Sequence, residues 1–229
     1  MNFDWLTDYT VRRAAAAPDL SQPFDSADWR DAASILLNYR LPSKENNYHP
    51  PVEFRLQYDD KGLYGLFEAT EDAIRCVAEK FQDSVCLDTC LECFIEPAGN
   101  RGYINFEVNA SGILLAMHVI DPVRLPDGGF RNYRYLTEEE IAGFRTFHTM
   151  PDRVEPECRI MTTYRLGWFI PFALFTRVTG APAPHAGDRW RAGVYKCGDQ
   201  TSKPHHLSWQ PLSARNFHLP QHFGNFIFG

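Results

Sequence analysis

Between residues 103 and 109 apolar and polar side chains alternate without a break. Ile104, Phe106 and Val108 fall on one side, Tyr103, Asn105, Glu107 and Asn109 on the other. A period of two is that of an extended strand, whose successive side chains point to opposite faces. Ala110-Ser111-Gly112 supplies a turn, and residues 113–120 return as the second arm of a hairpin. A second hairpin is predicted where His49-Pro50-Pro51 opens a strand over 52–58. There Asp59-Asp60-Lys61-Gly62 makes the turn, and 63–69 runs back. Further strands are expected at 91–96, ended by Pro97 and a Gly99-Asn100 turn, and at 145–150, 158–163, 167–170, 189–196 and 225–228. Helical signals are few. Thr137 and Glu140 make a capping box ahead of Ile141, and Pro171 is placed to start a short helix through Phe175. The Ala181–Pro184 run reads as a stiff surface loop. Short strands punctuated by turn residues predict an all-β fold, an antiparallel β-sandwich with one or two short helices. No composition break divides residues 1–229, so one domain is expected, with residues 1–27 as an N-terminal extension packing on it or leading into it.

Composition narrows the function. Hydrophobic residues make up 44% and aromatics 14%, enough for one sizeable core. The net charge of −6, from 23 basic and 29 acidic residues, argues against nucleic acid as a partner, because such binders must neutralise phosphates. It also offers no polybasic patch for an anionic membrane. No apolar run approaches the roughly 20 residues needed to span a bilayer. The first twenty residues lack the basic start and apolar stretch of a secretory signal, so a cytoplasmic protein is expected. Oligomeric state is not legible.

Six cysteines are present, at 76, 86, 90, 93, 158 and 197. The Cys90-x-x-Cys93 pair has no second CxxC or CxxH at zinc-finger spacing, and on a strand its two thiols point to opposite faces. Reduced, mostly buried thiols are expected, with no shared metal between Cys90 and Cys93.

The polar side of the 103–109 strand carries the candidate chemistry. A phenol, an amide, a carboxylate and a second amide in succession are costly to bury, so that side is expected to face water or a ligand. Amides and carboxylates complement vicinal hydroxyls, each of which both donates and accepts. Glu92 lies on the preceding strand and joins Glu107 if the two strands are neighbours. Paired carboxylates are also what a glycoside hydrolase uses, and Glu92 with Glu107 would then be its catalytic pair. The C-terminal stretch adds Trp190, Lys196, His206 and Trp209. His206 is taken over His205 because it shares its alternation with Ser208, and Trp209 has polar neighbours and a flat face for stacking on a sugar ring. Trp168, inside an apolar run, is expected in the core.

The blocks WRAGVYKCGD (190–199), HHLSWQPL, NFHLP and HFGNFIF follow one another in order. With Asp88–Ile95 and Tyr103–Asn109 upstream, they resemble the family 9 carbohydrate-binding modules, most closely the free-standing branch of that group. The resemblance runs from about Asp28 to the C-terminus. It implies an antiparallel β-sandwich related to the DOMON superfamily and non-catalytic binding of a mono- or oligosaccharide. The sugar would be xylan- or glucan-derived, in the service of carbohydrate catabolism. It implies a sugar site drawn from Glu92, Asn105, Glu107, Asn109, Lys196 and the Trp190 and Trp209 regions. No cofactor is required, although structural calcium occurs in the group, and Asp83 and Asp88 are the available oxygen ligands here. Residues 83–88 stand where such members carry a sandwiching tryptophan, with Tyr103 or Phe81 as substitutes.

Overall fold

The strand over Tyr103–Asn109 forms with the bounds its alternation predicts, within a β-sandwich. The computed structural model describes residues 8–41, 47–99 and 101–229. Residues 1–7 of the expected extension and Asn100 of the expected turn lie outside the described residues. In chain order the first strands are β1 (Asp8–Arg13), β2 (Ser34–Leu36), β3 (Tyr39–Arg40), β4 (Val52–Tyr58), β5 (Gly62–Glu71), β6 (Ile74–Cys76), β7 (Cys90–Glu96) and β8 (Tyr103–Asn109). There follow β9 (Leu114–Arg124), β10 (Phe130–Tyr135), β11 (Arg145–His148), β12 (Val154–Cys158), β13 (Thr162–Pro171), β14 (Arg189–Cys197), β15 (His206–Ser208) and β16 (Gly224–Phe228).

A front sheet runs β10-β9-β8-β7-β14-β16-β1, with β15 paired to the end of β14 and to β3. A back sheet runs β1-β4-β5-β13-β11, with β2 on β4. Strand β1 belongs to both. Asp8–Val11 pair with β16, and Arg12 and Arg13 pair with β4, in parallel each time. The expected N-terminal extension therefore contributes a strand to each sheet. β6 and β12 form a separate two-stranded ribbon. The two strands expected at 158–163 and 167–170 are resolved differently: β13 is one continuous strand from Thr162, while Cys158 ends β12.

Between the sheets lies the main core. Phe54, Phe67, Leu166 and Trp168 come from the back sheet, and Leu91, Cys93, Phe106 and Val194 from the front. Trp168 lies across Gly65 on the neighbouring strand. A Cβ at that position would stand 2.4 Å from the indole, so only glycine leaves the ring its place. The helix α1 (Phe172–Thr179) starts after Pro171 and ends at Gly180, which takes the left-handed conformation that terminates helices. The Thr137–Glu140 capping box forms reciprocally, at 3.0 and 3.2 Å, yet closes only a turn. Gly143, at φ 91°, reverses the chain before a helix can propagate. No helix among the described residues is long and apolar enough to cross a membrane.

The middle of the front sheet is covered on its other face as well. Residues after β15 fold back across it, so that Phe217 stacks on Tyr195 and Phe223 meets Phe94 and Tyr103 edge-on. All seven residues of β8 are buried.

The main core also holds an ion pair. Lys196 on β14 and Glu71 on β5 meet across the sandwich, Nζ 2.9 Å from Oε1, with both side chains sealed from solvent. Tyr164 donates to the same carboxylate oxygen at 2.6 Å, and His205 stands 3.9 Å from the other. Burial, then the nearby Lys196 charge, lowers the His205 pKa well below its ordinary value and keeps the ring neutral. The pair is held by charge rather than by an aligned hydrogen bond. Removing one member strands the other in a low-dielectric interior. We expect Lys196→Met to cost about 3–5 kcal/mol in urea unfolding. Adding Glu71→Gln, which keeps an acceptor for Tyr164, should recover at least half of that loss. A single-variant loss under about 1 kcal/mol would show that the pair contributes no more than a surface one does.

Candidate functional site

The front sheet's outer face carries the candidate site, and strand phase decides which residues reach it. On β7 that face takes Cys90, Glu92 and Phe94; on β8 it takes Tyr103, Asn105, Glu107 and Asn109; on β14 it takes Tyr195 and Cys197. Glu92 and Glu107 are direct partners across the antiparallel ladder. Cys197 closes the row from β14, opposite Cys90. The carboxyls of Glu92 and Glu107 form the floor of a cavity of about 330 Å³. Its walls include Phe130, Tyr135 and Phe217, and its rim carries Arg124, Asp199, His206 and Arg215.

Both acids are nearly buried, at 2% and 6% exposure. The Cys197 thiol donates to Glu92 Oε1 at 3.0 Å. Asn105 donates from Nδ2 to Glu107 Oε1 at 2.7 Å and accepts the Met117 amide at 2.8 Å, which fixes which way the carboxamide points. Burial raises Glu92 well above the usual carboxylate range, and the neighbouring Glu107 charge adds to it. Burial also pushes Glu107 up to about 7, opposed by the Asn105 hydrogen bond. Two adjacent carboxyls in so dry a place hold protons that exposed ones would lose. Burial likewise pushes the Cys90 thiol up to about 12, and a hydrogen bond with Cys90 together with burial raises Cys197.

At the rim His206 Nε2 stands 2.9 Å from Asp199, and Arg215 reaches the other ring nitrogen at 3.4 Å. The Arg124 guanidinium lies 4.0 Å over the Phe130 ring. His218 bonds the Tyr103 hydroxyl at 2.8 Å, and burial lowers its pKa to about 3, so it faces the cavity neutral.

Of the residues expected from sequence, Glu92, Glu107 and His206 line the cavity together. Asn105 stands behind Glu107 and Tyr103 behind His218, each positioning a lining residue. Four others are elsewhere. Asn109 shapes the turn after β8, donating to Asp88 and accepting the Ser111 and Ile113 amides. Lys196 is one residue out of phase with Cys197, so it points into the main core. Trp190 shares the Lys196 phase and packs among Phe172, Phe175 and Phe228. Trp209 lies against Tyr9 and Phe226 in the same core, so neither tryptophan offers a face to a sugar.

The expected calcium ligands are also otherwise engaged. Asp88 accepts from the Val77 and Ala78 amides, Asn109 and Arg75. Asp83 accepts the Glu79 and Lys80 amides. Among the described residues the donor atoms that converge are instead those of Cys90, Glu92 and Cys197, all within 4.8 Å of one another. Sequence reasoning missed Cys197, Asp199 and the aromatic wall. The NFHLP block that supplies Phe217 and His218 was visible, but nothing local says that it folds back over strands a hundred residues earlier.

The sequence signature described as carbohydrate-binding family 9 matches residues 33–228. No curated protein matches the chain. Among solved structures, a putative carbohydrate-binding protein from Bacteroides uniformis superposes with a TM-score of 0.82 at 24% identity, over 98% of this chain and 100% of that one. A family 9 carbohydrate-binding module from Caldicellulosiruptor kristjanssonii, solved with glucose, gives 0.65 at 12% identity over 97% and 96%. The same organism's module with cellotriose gives 0.63 at 12% over 97% and 93%. At these identities the structural likeness speaks for the β-sandwich alone, whereas the signature spans most of the sequence. The chain belongs to carbohydrate-binding family 9, a group of carbohydrate-binding β-sandwich modules.

Proposed function

We propose that the cavity over Glu92 and Glu107 binds a mono- or short oligosaccharide without cleaving it, as part of carbohydrate catabolism. The observation that carries this reading is the pair of carboxyls side by side on the floor, under aromatic walls. Protonated carboxyls both donate and accept, which suits hydroxyls that do the same. Phe130, Tyr135 and Phe217 supply apolar surface for the C–H faces of a ring. The cavity's size sits at the low end of small-molecule sites, roughly 300–1,000 Å³, and favours one or two sugar units over a long chain. The glucose and cellotriose complexes of the Caldicellulosiruptor module make glucan fragments the first ligands to try, with xylan fragments next.

A glycosidase would need the two carboxyls roughly 5–9.5 Å apart with one of them ionised. Burial raises the pKa of both Glu92 and Glu107, which supports binding over cleavage.

Calorimetric titration with glucose, cellobiose, xylose and xylobiose should show saturable binding. Glu107→Ala should weaken it about 10–100-fold, the worth of one or two hydrogen bonds to a charged or strongly polar group. Folded protein that responds to no sugar, or sugar release that Glu107→Gln abolishes, would overturn the proposal.

A stability prediction comes from the same carboxyl. Its folded-state pKa lies above its ordinary 4.5, so between pH 4.5 and about 7 the folded chain keeps a proton that the unfolded chain has lost. Rising pH therefore removes stability across that window and no further above it, by a few kcal/mol for a shift of this size. Glu107→Gln should make that part of the wild-type profile shallower in urea midpoints measured from pH 4 to 8, leaving the slope that Glu92 contributes. Parallel profiles for the two proteins would contradict the assignment.

A further inference from the structure

We propose that Cys90, Glu92 and Cys197 form a site for one thiophilic divalent cation of the zinc class, open to the cavity at its floor. The proposal does not depend on sugar binding.

The first support is register. Cys90 and Cys197 are direct partners on adjacent antiparallel strands, and Glu92 lies two residues from Cys90 on the same face. Pleating alone aims all three at one point. Their donor atoms lie within 4.8 Å of one another, and the Cys197 Sγ to Glu92 Oε1 distance is 3.0 Å. Ligands bonded at about 2.0–2.3 Å to a tetrahedral ion stand roughly 3.3–3.8 Å apart, so closing the site needs side-chain movements of about 1 Å.

The second support is charge. Among the described residues, no lysine, arginine or histidine nitrogen lies within ion-pair distance of Glu92 or Glu107; Lys196 and Arg124 act on them from farther away. The other two buried acids among the described residues each have a cation in contact: Glu71 has Lys196, and Asp88 has Arg75. Two neighbouring buried carboxyls with no cation in contact are costly to ionise, and a divalent ion would supply the missing charge.

The donor set selects the ion. Two sulfurs and one carboxylate oxygen suit a borderline-soft metal, whereas calcium requires six to eight oxygens. Glu92 and Cys197 both line the cavity, so the ion has a path in, and its fourth position faces that space. Binding replaces the two thiol protons with the cation, so at least two protons leave for each ion taken up.

The test uses the full chain, reduced and then freed of reductant and chelator. Titration with zinc chloride against a chromophoric chelator should give one equivalent per chain with proton release. Cobalt chloride should give the thiolate-to-cobalt charge-transfer absorption in the near ultraviolet. Cys90→Ser and Cys197→Ser should each weaken binding by more than the roughly 10–100-fold that loss of an outer partner costs. Glu92→Gln gives a third variant, useful if either serine form folds poorly. Cys93→Ala is the control, since that thiol points into the main core and its loss should leave stoichiometry at one. The proposal fails if folded, reduced wild type shows no cobalt–thiolate band. It fails equally if the Cys90→Ser/Cys197→Ser double variant binds as wild type does, or if calcium occupies the site in preference to zinc. Because sugar is absent from these titrations, a negative result here leaves the glycan titration to decide the other proposal by itself.

Discussion

The middle of the front sheet is buried on both faces, and the pleat of its three central strands assigns their side chains to one side or the other. Inward phases on β7, β8 and β14 deliver Leu91, Cys93, Phe106, Val194 and Lys196 to the space between the sheets. Outward phases deliver Glu92, Glu107 and Cys197 to the cavity, with Cys90 and Asn105 behind them on the same face. Because the period is two, no residue can drift to the other side without a bulge or a register slip. The register across β8, β7 and β14 is continuous, and so the two chemistries stay apart.

That separation explains how one sheet carries two buried sets of ionisable groups with opposite behaviour. Inside, Glu71 has an ionised lysine and a tyrosine hydroxyl on one carboxylate oxygen, and the neutral His205 3.9 Å from the other. Outside, Glu92 and Glu107 have a thiol and a carboxamide, neither of which brings positive charge. The first arrangement is a structural tie between sheets. The second is electrostatically incomplete and lies beside open space, which is where a ligand's hydroxyls or a cation gain most from binding.

Legibility followed the range of the interactions involved. The alternation at 103–109 is local, and it predicted β8 and its polar face; the adjacency of Glu92 and Glu107 was conditional on their strands being neighbours, which they are. The phase of β14 was harder. In Arg189–Cys197 the even positions Trp190, Ala192 and Val194 are apolar and Lys196 breaks that phase, so its charge suggested an outward position that only its partner across the sandwich, 125 residues away in Glu71, overrules. Trp190 and Trp209 misled for a related reason. An aromatic with polar neighbours in sequence can still be enclosed when Phe226, Phe228 and Tyr9 arrive from the chain's two ends. The polar side of β8 proved buried because its cover, Phe217 through Phe223, is supplied by a segment more than a hundred residues later.

Strand β1 has a kinetic consequence. It pairs with β16 through Asp8 opposite Asn225, a separation of 217 residues, and the side chains repeat the link through an Asn225–Asp8 hydrogen bond at 2.7 Å. The same six-residue strand then crosses to β4. Contacts so remote in sequence form late, because the intervening loop must be closed before they return any energy. The seam joining the two layers is thus expected to close late, and until it does β16 and the Gln57–Tyr58 end of β4 lack a neighbour on that side, the kind of open edge through which half-folded chains associate.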